Sequence, residues 1–87
     1  MKLQAVFWDY PKFLDRNYLE SFLRENKDPD VVNWVMTRFL EHGRAVDALA
    51  FFDIKEIARR LPSLKLSEHA AKKWQRFVEV YAYSPRG

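Results

Sequence analysis

The chain has 87 residues, no cysteine and a formal net charge of +3, which bounds it to one small domain and excludes disulfides, thiolate metal sites and cysteine nucleophiles. Two glycines and four prolines are too few for an all-β or a disordered chain. No apolar run approaches the roughly 18 residues of a membrane span, so a single cytoplasmic domain over residues 1–87, with no membrane partner, is the expectation.

Residues 1–14 read as an extended N-terminal arm. The run LQAVFWDY over 3–10 is largely apolar, but no second segment alternates well enough to pair with it as a strand. Pro11 holds Tyr10 toward extended geometry. One lysine and a short apolar run also make the N-terminus a poor secretion signal. Asp15 stands where an N-cap belongs, opening a helix over about 16–26 with Tyr18, Leu19, Phe22 and Leu23 on its apolar stripe. Arg16, Glu20 and Arg24 pair at i,i+4 on its wet side. Asp28-Pro29 opens the next helix, which runs to His42. Here Val32, Val35, Met36, Phe39 and Leu40 recur at helical spacing. Val31 and Trp34 widen that face, so this helix reads as the central post with Trp34 buried in it. Gly43 takes the C′ position, where a left-handed residue ends a helix.

A short helix over about 44–51 should turn Val46, Leu49 and Ala50 inward, with Phe52 near its end. Asp53 is a further N-cap, with Glu56 at capping-box spacing. Ile54, Ile57, Ala58 and Leu61 share one face until Pro62 stops the helix. Residues 62–66 form a loop that tucks Leu64 and Leu66 inward. Ser67 caps a last helix, expected to reach about Tyr83 with Ala70, Ala71, Trp74, Phe77, Val78 and Tyr81 inward. Residues 84–87 are a frayed tail. The fold class is therefore all-α: a compact bundle of four to five short helices led by an aromatic arm.

Catalysis is the poorest fit to these residues. His42 and His69 have no metal-ligand spacing around them. Glycine only at 43 and 87 makes no phosphate loop. Ser21, Ser63, Ser67 and Ser84 have no elbow-like setting. Caps and helical ion pairs account for most carboxylates. A non-enzymatic chain without cofactor or metal is expected.

Two other constellations stand out. Residues 1–43 hold six Lys/Arg and seven Asp/Glu, whereas residues 44–87 hold nine and five. The basic half includes DIKEIARRLPSLKLSEHAAKKW over 53–74. The order Ile54, Glu56, Ile57, Ala58, Leu61 resembles the positioning helix of bacterial helix-turn-helix domains, although the PSLKL connection is longer than usual and lacks glycine. His69, Lys72 and Arg76 then share a flank away from the core stripe. With Lys55, Arg59 and Lys73 they form the candidate nucleic-acid contacts of a DNA-binding C-terminal half. A solvated face on an αα-corner accounts for the same residues. The other constellation is Phe7, Trp8, Tyr10 and Phe13. This is either an anchor for a protein partner, since aromatics make strong hot spots, or a lid over the small core. Tyr81 and Tyr83 extend either surface.

One resemblance spans most of the chain. Phe7-Trp8-Asp9-Tyr10, Trp34 with Arg38-Phe39, Gly43-Arg44, Leu66-Ser67 and Trp74 occur in this order. The pattern resembles a family of small prokaryotic all-helical proteins of unknown function. Members of that family are often encoded beside abortive-infection nucleotidyltransferase-like toxins. The resemblance implies an antitoxin-like or accessory partner of such a protein, and it brings no catalytic residues.

Overall fold

Four short polar side chains set where the longer helices and one short helix begin. In the computed structural model, which describes residues 3–81, the Asp15 carboxylate accepts from the backbone N–H of Asn17 (2.9 Å) and of Tyr18 (3.3 Å). Asp28 accepts from Asp30 (3.0 Å), Asp53 from Lys55 (3.3 Å), and the Ser67 hydroxyl from Ala70 (3.2 Å). Each satisfies a donor that the first helical turn cannot. The helices are α1 Leu3–Val6, α2 Arg16–Glu25, α3 Pro29–His42, α4 Ala45–Phe51, α5 Ile54–Arg60 and α6 Glu68–Tyr81. Single 3-10 turns cover Pro11–Leu14 and Leu61–Ser63. The chain is all-α, with no strand among the described residues. No helix of the described residues is long and apolar enough to cross a membrane. Tyr83 and the tail 84–87 lie outside the described residues.

α3 is the post. Val32, Val35, Met36, Phe39 and Leu40 are all buried, the same five that helical spacing selects. Its neighbours are fastened to it by polar contacts as well as by packing. Arg60 on α5 donates to the Asn33 side chain (2.8 Å). The Trp74 indole N–H on α6 donates to the Leu40 carbonyl oxygen (3.2 Å), one of the carbonyls left over at the end of α3. Glu41 accepts from the Ser67 hydroxyl (3.0 Å) and from the Ser67 backbone N–H, so α3 also holds the start of α6.

Several expectations change. The N-terminal segment is not extended: it is a turn of α-helix followed by a 3-10 turn, and Pro11 opens that turn, where its missing N–H costs nothing. Gly43 has φ −96° and ψ 171°, an extended conformation. Its role is close approach, because an added Cβ would lie 2.9 Å from the Phe39 carbonyl oxygen and 3.0 Å from a Val6 methyl. α4 presents the opposite face to the one its spacing indicates. Val46, Leu49 and Ala50 are exposed, while Asp47 and Ala48 are buried. The cause is Phe39, whose ring draws in Phe51 (5.1 Å) and Phe52 (6.0 Å). The Glu56 carboxylate pairs with Arg60 (3.2 Å). Trp34 and Tyr81 are exposed, and α6 buries Ala70, Trp74 and Val78.

Candidate functional site

The four aromatics of the N-terminal segment divide into two pairs. Phe7 and Phe13 are buried, with Phe7 edge-on to Phe13 (5.0 Å between centroids) and to Phe39 (5.7 Å). Both belong to the core and present little or no surface to solvent. Trp8 stays 55% exposed and Tyr10 44%. A one-turn helix followed by an irregular link faces successive residues differently, so no regular period carries all four rings to one side.

Beside Trp8 and Tyr10 the fold places two residues from further along the chain. Trp34 on α3, 38% exposed, meets Tyr10 edge-on at 5.1 Å. Tyr18, 43% exposed, sits 5.8 Å from Phe13. Tyr10 and Tyr18 border a mainly apolar notch of about 270 Å³, lined also by Pro11, Lys12 and Phe13. The rings rest on a core of Phe7, Phe13 and Phe39, so the patch has a rigid floor.

Arg38 organises this patch. Its Nε and Nη2 donate to the Val6 carbonyl oxygen at 3.1 and 2.8 Å, satisfying an acceptor left at the end of α1. Nη1 donates to Asp9 at 3.4 Å, and Nη2 bonds the other oxygen of the same carboxylate. The guanidinium carbon lies 4.6 Å from the Trp8 ring centroid and 5.6 Å from those of Phe7, Tyr10 and Trp34. Such distances fall within cation–π range. His42, one turn beyond Arg38 on α3, meets the Trp8 ring edge-on at 5.0 Å. Sequence reasoning noted Arg38 only within the family-like pattern. The signal that would have found its role is the i,i+4 spacing of Trp34, Arg38 and His42 along one helix face.

The six basic candidates are distributed differently. Lys55 and Arg59 lie on α5, and His69, Lys72, Lys73 and Arg76 on α6, all exposed. Lys72 pairs with Glu68 (3.1 Å), Arg59 with Glu56 (3.8 Å), and Lys73 lies 5.8 Å from the Trp74 ring. These side chains are exposed to solvent on the outer faces of α5 and α6. A larger groove of about 490 Å³ between α2, α4 and α5 is lined by both signs of charge. There Arg60 and Glu56 neutralise one another, and Glu20 pairs with Arg16 (2.9 Å). Among the described residues no three His, Asp or Glu side chains converge as metal ligands do.

The chain matches none of the protein-family models, curated proteins or solved structures with which it was compared.

Proposed function

We propose that the chain is a non-enzymatic protein-interaction module that docks its partner on Trp8, Tyr10, Trp34 and Tyr18. One observation carries this reading. An 87-residue domain has little apolar area to spare, yet four of its largest side chains remain about half in water on one rigid patch. Large exposed aromatics on a firm floor are the usual anchors of binding hot spots. The patch is also modest. At about 150–250 Å² per aromatic side chain, half-exposed, it offers less than the roughly 800 Å² per side of a stable interface between folded proteins. It therefore suits a short projecting segment of the partner. The resemblance to small helical proteins encoded beside nucleotidyltransferase-like toxins makes a protein of that type the partner to test.

The test is co-expression with the nucleotidyltransferase-type protein encoded by a neighbouring gene. Wild-type chain should co-purify with it. A Tyr10→Ala/Trp34→Ala chain should keep its helical circular dichroism and lose affinity by roughly 30-fold or more. A folded double variant that binds as well as wild type would reject the patch.

A second reading has its own observation: all six basic candidates are exposed on α5 and α6. Read this way, α5 and α6 form a helix-turn-helix-like DNA-binding pair. Duplex DNA should then be bound at low salt, weaken steeply as salt rises, and be lost in Lys72→Glu/Arg76→Glu. No gel shift of wild type at low salt would remove it.

A further inference from the structure

We propose that the aromatic box around position 38 is a guanidinium-binding site, filled in the intact chain by Arg38 itself, and that Arg38 thereby positions the interaction patch. The second half of this statement rests on the reading of Trp8, Tyr10 and Trp34 as a docking surface; the first half does not.

The geometry is that of a built site. A guanidinium is planar and offers donors along its edges and a π-accepting face. One edge meets the Val6 carbonyl oxygen through Nε and Nη2, and the other meets both oxygens of Asp9. The rings of Phe7, Trp8, Tyr10 and Trp34 lie around it, with Trp8 nearest at 4.6 Å. The acceptors and three of the rings come from residues 6–10, while Trp34 and Arg38 stand one turn apart on α3. The guanidinium is thus the shared contact of two chain segments that are some thirty residues apart. An ammonium cannot replace it, because a point donor does not span both edges.

Truncating Arg38 leaves the box without its cation. The Val6 carbonyl oxygen and the Asp9 carboxylate lose their donors, and the electron-rich faces of the rings surround an empty centre. The floor remains, since Phe7, Phe13 and Phe39 are held by their own packing. The Arg38 side chain is 16% exposed, so solvent already reaches the site and a small ion can enter after truncation. The hollow should therefore accept free planar guanidinium ions in preference to alkylammonium ions.

The experiment compares full-length Arg38→Ala, Arg38→Lys and wild type in methylguanidinium chloride, methylammonium chloride and sodium chloride at equal ionic strength. Thermal melting and the near-ultraviolet circular dichroism of the tryptophans are the readouts. Arg38→Ala should melt roughly 10 °C below wild type or lower. Tens of millimolar methylguanidinium should raise its Tm and restore its aromatic dichroism, as a ligand that binds only the folded state does. If Arg38→Ala is unfolded, methylguanidinium should recover helical signal. Arg38→Lys, which keeps the charge and fills the hollow, should show the disturbed spectrum with no rescue. Phe39→Ala, a core variant, should melt low without any guanidinium response. Rescue of Arg38→Ala by methylammonium to the same extent, or by neither ion, overturns the proposal, as does a wild-type spectrum and Tm for Arg38→Lys. Selective rescue with unchanged partner binding by Tyr10→Ala/Trp34→Ala would instead reject the docking surface and leave the guanidinium site standing.

Discussion

Trp74 has no exposed surface, and its indole N–H donates to the Leu40 carbonyl oxygen at 3.2 Å. Trp34 keeps 38% of its surface in water and touches Tyr10 and the Arg38 guanidinium. The two should respond differently to the same truncation. Trp74→Ala removes a fully packed ring and leaves a carbonyl unpaired, a loss of about 3–5 kcal/mol. That is a large part of the roughly 4–13 kcal/mol expected for a domain of this length at about 0.05–0.15 kcal/mol per residue. Trp34→Ala gives up only a partly buried ring and should cost below about 2 kcal/mol. Urea unfolding of the two variants, compared at equal m-value, decides this; a larger loss at Trp34 than at Trp74 would place Trp34 in the core. Both tryptophans fall on apolar helical spacing. Periodicity alone could not separate them, because what draws Trp34 outward is Tyr10, twenty-four residues away.

At the level of elements, the close approach of α1 to the end of α3 depends on Gly43. An added Cβ there meets the Phe39 carbonyl oxygen and a Val6 methyl at 2.9 and 3.0 Å. Backbone and a methyl in a packed helix yield little, so Gly43→Ala should overpack the crossing by about 1–3 kcal/mol. The stiffer unfolded chain returns about 0.4–1 kcal/mol, which leaves a net loss of at most about 2.6 kcal/mol. Asparagine, the usual substitute at a left-handed position, should be worse than alanine because it is larger. Chemical denaturation of Gly43→Ala and Gly43→Asn checks the order, and asparagine outperforming alanine would restore the left-handed explanation. Helix starts were legible in the sequence because they are local: Asp15, Asp28, Asp53 and Ser67 each act within three residues. The facing of α4 was not. Its seven residues have two competing apolar faces, and distant Phe39 chooses between them by packing tilted against Phe51 and edge-on to Phe52.

For the whole molecule, the pattern residues that span the chain converge on α3. Asp9 and Trp8 meet Arg38, Phe7 meets Phe39, Gly43 ends the helix, Ser67 is held by Glu41, and Trp74 bonds Leu40. These contacts fasten the elements on either side of α3 to one post. This bears on the N-terminal segment, which the sequence left as either a partner anchor or a lid on the core. Its residues divide: Trp8 and Tyr10 face outward, while Leu3, Val6, Phe7 and Phe13 are buried and cover the core. At about 1.5–3 kcal/mol for each buried side chain, those four contribute on the order of 6–12 kcal/mol of gross burial. The ordering entropy of the segment offsets part of that, but its removal also uncovers Phe39 and the Arg38 guanidinium to water. The remaining loss is comparable with the whole stability of so small a domain. Removing residues 1–14 should therefore abolish folding and not merely partner binding. The shortened chain should give a coil-like far-ultraviolet spectrum and no cooperative thermal transition, whereas the full chain should melt in a single step seen alike by backbone and tryptophan signals. A fragment of residues 15–87 that melts cooperatively with native helicity would show that α3 stands without this segment, and would return the N-terminal residues to the role of a detachable arm.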